Sequence, residues 1–125
     1  MQIEYISSDD EYCPLIRLFD FTTQEIVELR RVVEQLAHGT IAEFDLARLP
    51  SAKMVGDVQF AFRLTDRDEG IKETSPMHFE LHYTKDGWDD VSCRLEPFER
   101  PTSGYQWLLD VPSDVQLLLS HDGTW

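Results

Sequence analysis

The residues best placed to do chemistry are His78, Glu80 and His82, in the run His78-Phe-Glu-Leu-His82. On an extended strand they project from one face, with adjacent members about 7 Å apart. At that spacing two imidazoles, or an imidazole and a carboxylate, can share a metal ion, which an acidic protein would help to recruit. All three span about 13 Å, too far for one ion unless the strand bends. A fourth ligand would have to come from elsewhere, such as Asp57, His121 or Asp122. A polar sheet face open to water is the favoured reading of the same pattern.

Three motifs come close and fail. His78-x-Glu80 is half of the zinc deaminase signature, but no P-C-x-x-C follows it. The order H-F-E-L-H also differs from H-E-x-x-H, whose glutamate adjoins the first histidine on a helix. Asp66-x-Asp68-x-Gly70 has the look of a calcium loop, but its glycine falls one place early and Met77 stands where the closing Glu belongs. The chain has no G-x-S-x-G, Walker loop or G-x-G-x-x-G, and no cofactor is expected. The adjacent acids Asp9-Asp10, Asp68-Glu69 and Asp89-Asp90 read as turn or helix-start residues, because acid–base work needs facing carboxylates. Cys13 and Cys93 read as small buried hydrophobes, too few for a structural zinc site and without a C-x-x-C.

A second constellation lies in the last third: Trp107, Asp110, Asp114, Asp122 and Trp125. Aromatics flanked by acids, in a tail with neither Lys nor Arg after Arg100, make an anionic, amphipathic contact surface suited to a basic protein. Core packing competes for these rings and is the better reading for Trp88, Phe98 and most of their neighbours.

The whole chain carries the same charge bias. Twenty-four Asp and Glu stand against eleven Lys and Arg, a formal net charge of -13. Such a field repels phosphate, so DNA, RNA and anionic membranes are excluded as general partners. Seven Phe, four Tyr and three Trp in 125 residues argue for one globular domain over 1–125 with a solvated acidic surface. No apolar run approaches the roughly 20 residues that span a bilayer. Met1-Gln-Ile-Glu-Tyr5 lacks the features of a signal peptide, so a cytoplasmic location is expected.

The elements that must position these residues are partly legible. Thr22 and Glu25 form a capping box, Phe21 and Ile26 a hydrophobic staple, and Ile26, Leu29, Val33 and Leu36 recur at helical spacing up to Gly39. They predict a helix over about 23–38. Glu28 with Arg31, and Arg30 with Glu34, are spaced to pair on its surface. Strands are predicted at Ile3–Ile6, Pro14–Phe21 (central), Ala42–Leu46, Val58–Leu64, Met77–Tyr83, Tyr105–Leu109 and Val115–Ser120. Acidic Ser7–Glu11 and charged Asp66–Pro76 are read as loops, and Asp122-Gly123 as a terminal turn. For about 88–96 register decides: a hairpin at Asp86-Gly87 would set Leu81 against Ser92 and Tyr83 against Asp90, core against polar. A short second helix, with Trp88, Val91, Leu95 and Phe98 on one stripe and Asp86 as cap, is preferred.

The expected fold is α+β, a single antiparallel or mixed sheet of about five to seven strands with the long helix packed on one face. The expected function is a non-enzymatic interaction module for a basic partner, of inhibitor or immunity type. The alternatives are a metal-dependent enzyme on the 78–82 strand, or a domain that binds a small ligand.

Overall fold

In the computed structural model, which describes residues 1–7 and 14–125, the long helix α1 (Thr23–His38) has the predicted bounds. Thr22 Oγ1 accepts from the Glu25 amide at 3.2 Å, and Glu25 accepts from the Thr22 amide at 2.9 Å. The N-terminal ammonium of Met1 also pairs with Glu25. Burial pushes the Glu25 carboxyl up, but the ammonium and the Thr22 donors outweigh it and hold the group below its ordinary value. Gly39 ends the helix at φ 76°, a left-handed conformation that costs glycine little. Ile26, Leu29, Val33 and Leu36 are its buried residues, worth about 1.5–3 kcal/mol each.

The expected single sheet is two. One runs β4-β1-β2-β9-β8, built from β1 (Gln2–Ile6), β2 (Leu15–Phe19), β4 (Lys53–Met54), β8 (Tyr105–Trp107) and β9 (Gln116–Ser120). The other runs β3-β5-β7-β6, built from β3 (Glu43–Asp45), β5 (Gln59–Leu64), β6 (Gly70–Ser75) and β7 (His78–Tyr83). Both are mixed, with parallel pairs β1–β4, β2–β9 and β5–β7. Among the described residues the ladders of the two sheets meet at one isolated bridge, Ile71 to Val115. The division follows from pairing partners that lie far apart in the chain, which side-chain alternation does not report.

The two sheets share one core with the helices. The Tyr5 and Phe79 rings, one from each sheet, lie 4.6 Å apart. Apart from Leu15 and Leu118, the buried apolar residues of β1, β2, β5, β7, β9 and α1 form a single cluster with Trp88, Val91 and Leu95 of the second helix. That helix, α2 (Lys85–Leu95), is present as preferred, followed by a 3-10 turn through Pro97. Its cap is Thr84, not Asp86. Trp88 is fully buried against Phe62 (4.6 Å) and Tyr83 (5.8 Å), and its indole N–H donates to the Arg63 carbonyl at 3.1 Å. Arg30 leaves α1 to bond Glu99 at 2.6 Å and Ser92 at 3.0 Å, tying the two helices together.

Two further expectations are corrected. Asp66–Pro76 is not all loop, because Gly70–Ser75 forms edge strand β6, antiparallel to β7. Only Gly70 and Ile71 of β6 are buried, so the strand is held by its backbone ladder and carries no alternating pattern to read. Cys93 is exposed on α2 rather than buried. Cys13 and most of the acidic Ser7–Glu11 turn lie outside the described residues. Among those that are described, no helix is long and apolar enough to cross a membrane.

Replacing Thr22 with Ala removes the cap acceptor while the apolar stripe stays in place, so it is expected to cost about 1 kcal/mol. Thr102→Ala, in an exposed loop, is expected to cost far less. Urea denaturation midpoints compare the two, and equal midpoints would contradict the capping argument.

Candidate functional site

Residues His78, Glu80 and His82 do share the outward face of β7, but they are used unequally. Glu80 and His82 meet at 2.9 Å, and Glu80 also bonds Arg63 Nε at 2.9 Å. Arg63 reaches on to Glu43, and His82 lies 3.5 Å from Glu69, which pairs with Lys72 at 2.9 Å. His78 stands apart and exposed, in register with Gln59 of β5. The hydrogen bond from His82 holds the Glu80 carboxyl below its ordinary value, with Arg63 adding to it against the effect of burial. Among the described residues no three His, Cys, Asp or Glu side chains gather in a form that could hold a metal ion. Each Glu80 oxygen has one nitrogen neighbour, Arg63 Nε on Oε2 and His82 Nε2 on Oε1.

The five tail residues are divided between two ends of the β8–β9 pair. Trp107 is half-buried on β8 opposite Leu118, and edge-on to the exposed Tyr105 at 6.4 Å. Asp110 and Asp114 lie in the connection before β9. Asp122 and Trp125 follow β9, whose five residues rise about 13 Å. Asp122 accepts from the Thr124 hydroxyl at 2.7 Å and from its amide at 3.0 Å, which lowers its pKa and shapes the terminal turn. Trp125 is one of two exposed large apolar side chains among the described residues, with Tyr105 the other.

Asp110 and Asp114 join acids from other segments. Because β5 and β7 are parallel, Leu64 and Tyr83 finish side by side. The segment 65–69 then crosses the end of β7, with the Thr65 amide on the Tyr83 carbonyl and the Glu69 amide on the His82 carbonyl, each at 2.9 Å. Asp68 Oδ1 accepts from both the amide and the hydroxyl of Thr84 at 2.8 Å. The Thr84 oxygen in turn accepts from the Gly87 amide at 3.2 Å and so caps α2. Gly87 is required here, since a Cβ would fall 2.6 Å from Asp68 Oδ1 and 2.8 Å from Tyr83 Cγ. The connection from β8 to β9 is drawn in by Ser113, whose oxygen accepts from the Ile71 amide at 2.9 Å.

The result is an acidic rim: Asp66 and Asp68 from the crossing segment, Asp86, Asp89 and Asp90 from α2, and Asp110 and Asp114 from the connection to β9. Part of it borders an open hollow of about 560 Å³ lined by Leu64, Thr65, Asp66, Thr84, Lys85 and Asp86. Arg94 neutralises one portion, bonding Asp90 at 2.8 Å and lying 3.5 Å from Asp110. Among the described residues Asp66, Asp86, Asp89 and Asp114 have no ion-pair partner. Such a rim can attract and hold cationic groups. Asp66, Asp86, Thr84, Tyr83 and Arg94 were not singled out by sequence reasoning for this site. The calcium-like run of Asp66 and Asp68, set aside on its early glycine and on Met77, falls in part of it.

The chain matches no family model, no curated protein and no solved structure.

A pH measurement tests the β7 network. The folded pKa of Glu80 lies below its ordinary 4.5, so the network contributes stability that is present above that value and lost as pH falls through the lower one. The stability difference between about pH 7 and about pH 3, read from urea midpoints, is expected to be smaller in Glu80→Gln than in the parent. An unchanged difference would show that Glu80 is not the linked group.

Proposed function

We propose that this chain is a non-enzymatic, acidic interaction module that binds a basic protein, as an inhibitor or immunity-type antidote does. The observation that carries this reading is the convergence of carboxylates from three separate segments on one end of the structure, while much of the positive charge is engaged internally. Arg17 serves Glu4, Arg30 serves Glu34, Glu96 and Glu99, and Arg63 serves Glu43 and Glu80. The uncompensated field therefore points outward, where it steers a basic partner and repels an acidic one. Trp107, half-buried beside Asp110, supplies apolar contact area of the kind that anchors interfaces.

The test is affinity capture from the source cell at low salt, followed by association kinetics with the captured protein. The partner is expected to be basic, and its association rate to fall several-fold as salt rises, since at about 0.15 M the field is screened over roughly 8 Å. Asp114→Lys is expected to slow association more than Asp57→Lys, which makes the same single charge reversal beyond the opposite end of β5. An acidic partner, or a rate indifferent to salt, would end the proposal.

A further inference from the structure

At the far end of β9 and of α2 from the acidic rim lies a small pocket of different chemistry. The five residues of β9 rise about 13 Å from the Asp114 side to His121. Helix α2, eleven residues and about 16 Å long, starts at the rim and leads through the 3-10 turn to Arg100. The pocket encloses about 160 Å³. Its buried walls are Phe21 and Phe98, edge-on to one another with ring centroids 6.0 Å apart. His121 stands edge-on to Phe21 at 5.7 Å and, with exposed Thr22, Arg100 and Pro101, forms the mouth.

The lining holds Arg100 and His121 but neither Asp nor Glu. By contrast, the hollow at the rim includes Asp66 and Asp86, and those on the outward face of β5 include Glu43, Asp45 and Glu80. In a chain with twenty-four acids against eleven Lys and Arg, such a patch runs against the composition. The acids next to it in sequence are each held by a donor: Asp20 by Gln2 at 2.8 Å, Glu25 by Thr22 at 2.9 Å, Glu99 by Arg30 at 2.6 Å and Asp122 by Thr124 at 2.7 Å. The Arg100 guanidinium and the His121 ring nitrogens have no hydrogen-bond or ion-pair partner among the described residues.

Volume and lining select the ligand together. An apolar cavity of about 150 Å³ admits a benzene ring, so this pocket has room for one six-membered ring and little more. Aromatic walls favour edge and face contacts with another ring. A guanidinium without a carboxylate of its own offers paired donors at the mouth, which match a carboxylate. We propose that this pocket binds a small aromatic monocarboxylate of the size of benzoate, with the ring against Phe21 and Phe98 and the carboxylate on Arg100. The site is separate from the acidic rim, and the basic-partner reading stands or falls without it.

The test follows backbone amide NMR shifts of the whole protein during titration with benzoate, benzamide, benzylamine and butyrate. Benzoate is expected to shift the amides of Phe21, Phe98, Thr102 and His121 and to leave those of Asp66 and Asp86 in place. Benzamide lacks the charge and butyrate lacks the ring, so each is expected to bind several-fold more weakly. Benzylamine is also expected to bind here more weakly than benzoate, against the sign of the net charge. Arg100→Gln is expected to weaken benzoate about tenfold, the scale of one charge-assisted hydrogen bond. Its urea midpoint is expected to stay unchanged, because the side chain is exposed. Arg67→Gln removes the same charge from the crossing segment and is expected to bind benzoate as the parent does. The proposal is overturned if benzoate shifts none of the pocket amides, if any of the other three ligands binds there as well as benzoate, or if Arg100→Gln binds benzoate as Arg67→Gln does.

Discussion

The carboxylate of Asp68 is the point on which this end of the molecule depends. Its Oδ1 accepts two hydrogen bonds from Thr84, and Thr84 caps α2. One side chain thus fixes the segment that crosses β7, the end of β7 itself and the direction in which α2 departs. The acids of the rim sit on those three pieces or on the neighbouring connection held by Ser113. Loss of the Asp68 contact would free the crossing segment and the helix start together, so the electrostatic surface and the local fold are not separable there.

Sequence reasoning succeeded where a signal is local. The capping box and the stripe of Ile26, Leu29, Val33 and Leu36 define α1 without help from distant residues. The argument that Tyr83 cannot face Asp90 across a hairpin led to α2, because a mismatch of polarity in register is also a local signal. The failures have one cause. Edge strand β6 exposes Lys72, Glu73, Thr74 and Ser75, and its only evidence is a ladder to residues that follow it. The split into two sheets depends on β2 choosing β9 and β5 choosing β7, choices made by three-dimensional fit. Thr84 and Asp86 are both reasonable caps, and Asp68, from outside the helix, decides between them.

The candidate site follows the same division. The tail acids were legible as charge, but their separation into two groups was not, because β9 lies between Asp114 and Asp122. The β7 histidines were legible as a face, while the engagement of Glu80 by Arg63 came from the neighbouring strand and that of His82 by Glu69 from the crossing segment. Side chains at alternate positions describe a surface, and only the adjacent strands say whether that surface is already satisfied.

The pairing of β2 with β9 sets Leu15 beside Gln116 and Phe19 beside Ser120, deep in the five-stranded sheet. Neither strand can complete its ladder until the chain between them has closed a very long loop, an entropic cost met before the contacts repay it. Contacts so distant in sequence slow folding and lengthen the time for which apolar faces are open to water. The acidic surface has a second use during that interval. Like charges on separate unfinished molecules keep them apart, so the field that would select a partner also protects the chain while its apolar faces are uncovered.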